Sequence, residues 1–352
     1  MARLDVTRVR LVLRSPLVTA WGELRERDIL RVRLAWSDED FGVGEAAPLE
    51  RYDGVSLGAV GAALDAYGEV LRSADARSDH ADLLAACAGE RDLPEALAAI
   101  DLALWDRAGR RTGRPVAQLL AAGAASSVEV NATLRAEDRA GAAAQAEAAA
   151  LAGFGCVKVK VGIGDDAGRV AAVRAAAGPE IAIRVDANGA WSSAHEALAN
   201  LRALEAVGLE YAEEPVHGVD ALAAVRAAGV VPVAMDETAA EPGAVESGAT
   251  DAVCLKVSRC GGITGVLRDA RAARAAGSEV YVASAFDGPL GVAAGVHAAA
   301  ALAAAGPLPW CGLATLGAFE GMEAVLAPVR GSIAVPSGPG LLGGAGAGNG
   351  GH

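Results

Sequence analysis

The first 45 residues alternate apolar and polar side chains with the two-residue period of β-strands. Three such runs, RVRLVLRSPL, DILRVRLAW and FGVGEAAPL, follow one another, and the turn residues 37–40 separate the last two. They predict a small antiparallel meander. Helical patterns follow from about Ser56 to Leu120, with breaks at 89–92 and 113–115.

Beyond residue 120 the pattern changes to short β-branched runs separated by alanine-rich stretches that predict helices. Eight candidate strands begin at intervals of 20 to 30 residues, near Val128, Val157, Ile181, Leu209, Val231, Asp251, Glu279 and Pro309. Repeated β-then-α units of this length predict a parallel (β/α)8-type barrel, and an open doubly wound sheet is the structural alternative.

The chain is therefore predicted to be an α/β protein with three parts. An N-terminal α+β capping domain is expected at 1–120 and a (β/α) barrel catalytic domain at 121–325. A C-terminal segment at 326–352 is expected to pack back toward the cap and to end in a disordered glycine-rich tail.

Composition limits the classes of partner that the protein can bind and the cellular compartment in which it is expected. A formal net charge of −13 argues against nucleic acid and anionic membranes, because both require basic surfaces. Five cysteines without a CxxC pair are typical of buried free thiols in a reducing compartment. The N-terminus lacks a signal-peptide core, and the most apolar segment, 290–306, is short and weakly apolar for a membrane span. We therefore expect a cytoplasmic protein.

Three neighbouring barrel strands are predicted to end in a carboxylate, namely Asp186, Glu213 and Asp236. The C-terminal ends of barrel strands meet at one mouth, and adjacent strands lie about 4.8 Å apart, so three carboxylates can converge on one cation. Oxygen ligands without histidine or cysteine favour Mg²⁺ over zinc. For a single residue, such as Asp186 in the turn-like Asp-Ala-Asn-Gly, a helix cap is the alternative.

Lysines accompany the carboxylates. Lys158 and Lys160 point to the same side of strand two because side chains alternate along a strand, and Lys256 ends strand six across the mouth. A neighbouring cation lowers the pKa of a lysine, so this pair can supply a base near neutral pH. Lys256 is either a second acid/base or a fixed cation. Arg259 is a candidate for binding a second carboxylate, with a solvent-facing arginine as the alternative.

Five motifs resemble the enolase superfamily: KVKVG at 158–162, RVDANGAW at 184–191, YAEEP at 211–215, MDET at 235–238 and LKVSRCGG at 255–262. Segments 42–54 and 98–120 resemble the capping meander of that family and the helix that leads into its barrel. The three lysines resemble the muconate-lactonising-enzyme subgroup, whereas the mandelate-racemase pattern needs a histidine on strand seven. The resemblance implies a modified (β/α)7β barrel and removal of a proton α to a carboxylate through an enediolate intermediate.

The resemblance also implies roles for individual residues. The ligands of Mg²⁺, with Mn²⁺ as a substitute, would be Asp186, Glu213 and Asp236. The acid/base pair would be Lys160 and Lys256, and Lys158 would tune Lys160. Candidate substrate-binding residues are Asn188, Trp21, Tyr52, Arg259 and Ser284. Trp21 and Tyr52 belong to loops expected to close over the mouth, and packing between the domains is their alternative role.

Three activities share this lysine arrangement: dehydration to o-succinylbenzoate in menaquinone synthesis, epimerisation or racemisation of dipeptides or N-acylamino acids, and cycloisomerisation of muconate. Dipeptide epimerases typically carry an acidic DxD pair on strand eight, and PWCGLATLGAFEG has none. The stretch ASAFDGPLG resembles a loop of o-succinylbenzoate synthases, apart from Gly288-Pro289. A lyase that dehydrates a small carboxylate is therefore predicted first. The isomerases and a non-catalytic ligand-binding barrel are alternatives, and a homo-oligomer is compatible with the sequence.

Overall fold

A computed structural model describes residues 1–19, 22–136 and 138–343. The chain starts with an antiparallel sheet in the order β1-β2-β3, formed by β1 (Arg3–Thr19), β2 (Gly22–Ala35) and β3 (Phe41–Ala46). This sheet confirms the predicted meander, with its first two strands longer than the sequence runs. Trp21, expected in the lid, lies outside the described residues.

Five helices complete the N-terminal part: α1 (Glu50–Asp53), α2 (Leu57–Arg72), α3 (His80–Glu90), α4 (Pro94–Thr112) and α5 (Val116–Leu120). Helix α4 packs directly on β3. A Cβ atom on Gly42 would lie 1.8 Å from the carbonyl oxygen of Ala103, and one on Gly44 would lie 2.1 Å from that of Ala99. Glycine at both positions therefore permits the close approach of helix and sheet.

Next come β4 (Ser127–Glu129) and seven parallel strands in sequential order: β5 (Ala132–Leu134), β6 (Cys156–Lys160), β7 (Ala182–Asp186), β8 (Tyr211–Glu213), β9 (Val233–Met235), β10 (Ala252–Lys256) and β11 (Glu279–Ala283). The helices between and after them are α6 (Arg139–Leu151), α7 (Asp166–Ala177), α8 (Ala194–Leu204), α9 (Val219–Ala227), α10 (Ile263–Ala275) and α11 (Pro289–Ala303).

Residues 311–312, in the region predicted as strand eight, close the sheet into a barrel through isolated bridges. Cys311 bridges Val130, and Gly312 bridges Ala283 of β11, both in parallel orientation. The fold is therefore the predicted modified (β/α)7β barrel with a capping domain, and the open-sheet alternative is wrong.

Two details differ from the sequence prediction. The first barrel strand starts later than predicted, because β4 pairs antiparallel with β12 (Ser332–Ala334), Val130 makes the bridge to Cys311, and β5 begins only at Ala132. The fifth unit has no α-helix between β9 and β10, only a 3₁₀ turn at Glu237–Ala240. Pro242 follows this turn and cannot donate a helical hydrogen bond, and Gly243 adopts φ +78°, so the stretch cannot continue as a helix.

A carboxylate of the capping domain caps the N-terminus of a barrel helix. Helix α10 begins after Gly262, which has no capping side chain, and Asp101 of α4 takes that role. The Asp101 carboxylate accepts hydrogen bonds from the Thr264 backbone N–H at 3.1 Å and from the Thr264 hydroxyl at 2.5 Å. His80 Nε2 lies 2.8 Å from the same carboxylate. Through these hydrogen bonds, Asp101 connects the capping domain to the start of α10, just after the loop that follows β10.

The C-terminal segment contacts both parts of the molecule. Leu341 N–H donates to Asp106 of α4 at 2.9 Å, and the Leu341 carbonyl accepts from His297 Nε2 at 2.9 Å. His297 Nδ1 accepts from Ala117 N–H at 3.1 Å, so this buried imidazole is neutral, and burial lowers its pKa to about 4. The five cysteines are unpaired, as expected. Among the described residues, no helix has the length and apolar character to cross a membrane.

Candidate active site

The charged residues singled out from the sequence lie at one end of the barrel. Lys160, Asp186, Glu213 and Lys256 are the last residues of β6, β7, β8 and β10, and Asp236 directly follows β9. The register pairs Lys160 with Asp186 and Asp186 with Glu213. Since all these strands are parallel, their ends form a single mouth.

The three carboxylates are almost fully buried and are bridged by lysines. Lys158 Nζ lies 2.9 Å from Asp186 Oδ2 and donates to Glu213 Oε1 at 2.7 Å. Burial opposes ionisation of Asp186, but Lys158 and Lys160 hold the pKa of its carboxyl well below the usual range. Burial also opposes ionisation of Asp236, whose pKa is lowered by Lys256. Burial raises the pKa of Glu213, in part opposed by Lys158.

The chemistry of these donors fits a hard divalent cation, and Glu213 and Asp236, but not Asp186, fall in one cluster of possible ligand atoms. Each of the three buried carboxylates offers oxygen ligands, which Mg²⁺ prefers. Oxygen atoms of Glu213 and Asp236 and the sulfur of Cys254 lie within 4.8 Å of one another. Burial raises the pKa of the Cys254 thiol well above its ordinary value, so it remains a poor ligand for a hard cation.

Lys160 lies at the open side of the mouth. Its ammonium group donates to Asn188 Oδ1 and lies 3.6 Å from Asp186 Oδ2, and its side chain is 37% exposed. Asn188 adopts φ +45°, donates through its backbone N–H to Asp186 Oδ1 at 3.0 Å, and donates through Nδ2 to Glu237 Oε1 at 2.8 Å. Asn188 therefore contacts both Lys160 and Asp186, and its contact with a substrate stays a prediction.

Lys256 has a very different environment, with only 7% of its side chain exposed. Its ammonium group donates to Asp236 Oδ1 and, at 2.9 Å, to the hydroxyl oxygen of Tyr52. Tyr52 belongs to α1 of the cap and donates to Asp236 Oδ1 at 3.0 Å. Burial opposes the charged form of Lys256, but Asp236 raises its pKa well above the ordinary value. The cap thus contributes a side chain to the barrel mouth.

Two further predicted residues have structural partners of their own. Arg259 Nη1 donates to the Tyr52 hydroxyl oxygen and Nη2 to the Glu237 carbonyl, both at 2.9 Å. Ser284, just after β11, accepts at its hydroxyl oxygen from Asp287 N–H at 2.9 Å and from the Thr315 hydroxyl at 3.3 Å. Contact of either residue with a substrate stays a prediction.

Sequence reasoning missed the groups that hold the carboxylates. Tyr281 of β11 donates its hydroxyl to Glu213 Oε2 at 2.9 Å. Glu214, the second acid of the EEP motif, accepts from Asp236 N–H at 2.7 Å and Thr238 N–H at 3.0 Å. The period-two alternation of EVYVA is a signal that could put Tyr281 inside the barrel, but no local pattern identifies its partner across the barrel.

Comparison with known proteins agrees with this architecture. Residues 141–342 match the family described as enolase C-terminal domain-like. Residues 1–121 match the mandelate racemase / muconate lactonizing enzyme N-terminal domain.

The relatives include enzymes with different chemistries. The chain is 28% identical to the N-succinyl-L-Arg/Lys racemase of Bacillus cereus over 83% of this chain and 81% of that one. The crystal structure of that racemase superimposes with a TM-score of 0.88 over 97% and 94% of the two chains, at 26% identity. The chain is 40% identical to the o-succinylbenzoate synthase of Thermobifida fusca over 53% of this chain and 61% of that one.

A third relative was solved with a metal. The dipeptide epimerase of Cytophaga hutchinsonii, complexed with Mg and dipeptide D-Ala-L-Val, superimposes with a TM-score of 0.85 at 26% identity, over 96% and 94% of the two chains. The barrel, the cap and both family matches lead to one conclusion: the chain is an enzyme of the enolase superfamily, in the mandelate racemase / muconate lactonizing enzyme group.

Proposed function

We propose that the chain removes the proton α to a substrate carboxylate with the help of Mg²⁺, in a dehydration that yields o-succinylbenzoate. The observation that carries this proposal is the unequal environment of two lysines. Lys160 is partly exposed at the mouth, whereas Lys256 is buried against Asp236 and Tyr52. This difference supports Lys160 as the group that moves the proton and Lys256 as a fixed cation.

The residues that would hold Mg²⁺ are Asp186, Glu213 and Asp236, because they combine burial, negative charge and oxygen donors. When bound, the metal would neutralise the charge that builds on the substrate carboxylate during proton removal. Mn²⁺ would substitute for it.

Lys160 would take the α-proton, breaking the C–H bond and leaving an enediolate. Expulsion of hydroxide from the neighbouring carbon then forms the C=C bond, and the Lys160 ammonium returns the proton so that water leaves. Both events occur on one face of the substrate, so one acid/base group suffices. Lys256 would stabilise the negative charge without changing its protonation state.

Sequence similarity supports a dehydratase. The 40% identity to the Thermobifida fusca o-succinylbenzoate synthase exceeds the 28% identity to the Bacillus cereus racemase, although it spans less of the chain. Strand eight, at Cys311 and Gly312, carries no acidic pair for the amine of a dipeptide.

Racemisation of an N-succinyl amino acid is the second candidate, favoured by the similarity to the racemase over more than four-fifths of both chains. It requires proton transfer on both substrate faces. Lys256 would then have to release a proton despite its contacts with Asp236 and Tyr52.

Product analysis tests the choice. The purified enzyme with Mg²⁺ would be given the hydroxylated cyclohexadiene carboxylate that forms o-succinylbenzoate on losing water, and separately an N-succinyl amino acid in D₂O. We expect Mg²⁺-dependent aromatic absorbance from the first compound. The opposite result would be inversion of the amino acid with deuterium uptake and no aromatic product from the first compound. It would overturn the proposed dehydration in favour of racemisation.

A further inference from the structure

The lysines and arginine described at the mouth already have partners. Lys158 bridges Asp186 and Glu213, Lys256 contacts Asp236, and Arg259 donates to Tyr52. Arg135, the residue after β5, is different. It has no carboxylate partner within the described part of the chain, and its guanidinium carbon lies 5.6 Å from the centre of the Phe286 ring. Within those described residues, it is a half-buried cation without a counter-charge.

The side chain of Arg135 points to the same side of the sheet as Lys160. Leu134 pairs with Val159 in the parallel register. The residues that follow them, Arg135 and Lys160, therefore occupy equivalent positions along neighbouring chain segments. Residues at equivalent positions of neighbouring strands share a face. Arg135 therefore belongs to the mouth rather than to the outer surface of the barrel.

The backbone that carries Arg135 is firmly held. Gln145 Oε1 of α6 accepts from the N–H groups of Arg135 and Ala136, at 2.7 and 3.2 Å. Arg169, itself buried, donates to the carbonyls of Ala136 at 3.4 Å and Lys160 at 2.7 Å. One guanidinium thus fixes the ends of both strands relative to each other.

The aromatic neighbour is also fixed in place, at the cost of backbone strain. Phe286 adopts φ +60°, which is uncommon for a bulky residue. Its carbonyl accepts from Arg27 Nε at 3.3 Å, and its ring packs edge-on against Phe319 at 6.3 Å. Strain of this kind persists where the surroundings enforce it, and it is concentrated at functional sites.

We propose that Arg135 binds a second carboxylate of the substrate, remote from the reacting centre, and so selects dicarboxylates. One carboxylate would lie at Asp186, Glu213 and Asp236, the other would receive two hydrogen bonds from Arg135, and Phe286 would contact the apolar chain between them. The inference rests on the proposed function for the position of the first carboxylate.

Calorimetric titration in the presence of Mg²⁺ tests this with two ligand pairs, each differing by one carboxylate. The first pair is o-succinylbenzoate and 2-butyrylbenzoate. The second is N-succinylphenylalanine and N-butyrylphenylalanine. The variants are Arg135→Gln and Arg135→Lys. The control is Arg139→Gln, which removes the same charge from an exposed arginine paired with Asp165.

The wild type and Arg139→Gln are expected to bind the succinyl member of at least one pair about 10- to 100-fold more tightly than its butyryl partner, the range for a charge-assisted hydrogen bond. Arg135→Gln should lose this preference, and Arg135→Lys should recover part of it. A wild type without the preference, or Arg135→Gln that keeps it, overturns the inference and leaves the dehydratase proposal standing. If the preference for the succinyl ligand depends on Arg135 but is found only with the amino acid pair, the inference is supported and the dehydratase proposal is excluded. Binding of neither pair overturns both.

Discussion

Replacing Tyr281 by phenylalanine should weaken metal binding without disturbing the barrel. Tyr281 donates to Glu213 Oε2 at 2.9 Å, while Lys158 holds the other oxygen of the same carboxylate. The Tyr281 ring is parallel to the Tyr211 ring, with centres 6.3 Å apart, and the Arg184 guanidinium lies 4.8 and 5.0 Å from the two ring centres. The phenylalanine ring keeps this packing and loses only the hydroxyl.

The magnitude follows from the bond that is lost. A hydrogen bond to a charged group contributes about 1.5–3 kcal/mol, and about 1.4 kcal/mol corresponds to a factor of ten in binding. Removing a partner that orients a metal ligand typically costs 10- to 100-fold in metal affinity. We therefore expect the dissociation constant for Mn²⁺ or Mg²⁺ to rise by about 10- to 100-fold in Tyr281→Phe.

Electron paramagnetic resonance of free Mn²⁺ measures this affinity without substrate, and the Mg²⁺ dependence of turnover provides a second reading. Tyr211→Phe is the matched control, because it removes an identical hydroxyl that donates to Glu279 instead of Glu213. An unchanged affinity in Tyr281→Phe, or an equal loss in the Tyr211 control, would refute the idea that Tyr281 positions Glu213 for the metal.

Three further predictions concern charge and stability. Amide variants of the carboxylates should abolish Mg²⁺-dependent turnover while thermal unfolding stays cooperative, tested singly in Asp186→Asn, Glu213→Gln and Asp236→Asn. The pKa of His297 is about 4 in the folded protein and about 6.5 in an unfolded chain, so its contribution to stability is complete above pH 6.5 and is lost as the pH falls to 4, up to about 3 kcal/mol. His297→Gln should flatten this part of the pH dependence of unfolding relative to wild type. Asp101→Ala leaves the Thr264 N–H and the Thr264 hydroxyl proton without an acceptor and should lower the unfolding free energy by about 1–3 kcal/mol in denaturant titrations. An unchanged midpoint would exclude its capping role.

The barrel and the convergence of its charged residues could be predicted because both follow from local rules. The spacing of the strands predicts that they are parallel. The positions of Asp186 and Lys256 at the ends of apolar runs predict that both residues lie at the barrel mouth. The stretch after β9 forms no helix although its alanine content predicts one, because Pro242 and Gly243 interrupt it.

Partners across the barrel could not be predicted, because they depend on distances that no local pattern contains. Tyr52 and Lys256 are 204 positions apart and meet only when the cap docks on the barrel. Nothing in the sequence separates Arg259, which is hydrogen-bonded to Tyr52, from Arg135, which has no carboxylate partner among the described residues. Only the folded arrangement distinguishes these two arginines.

In the proposed reaction, Lys160 moves the proton and Lys256 acts as a fixed cation. The most direct test is the rate of o-succinylbenzoate formation at saturating Mg²⁺ in Lys160→Ala and Lys256→Arg, with metal binding verified in both. Lys160→Ala should lose at least about 100-fold in rate, the usual contribution of a general base. Lys256→Arg keeps the charge without shuttling a proton, so it should retain measurable activity. Equal inactivity of both variants, or near wild-type turnover in Lys160→Ala, would contradict the account.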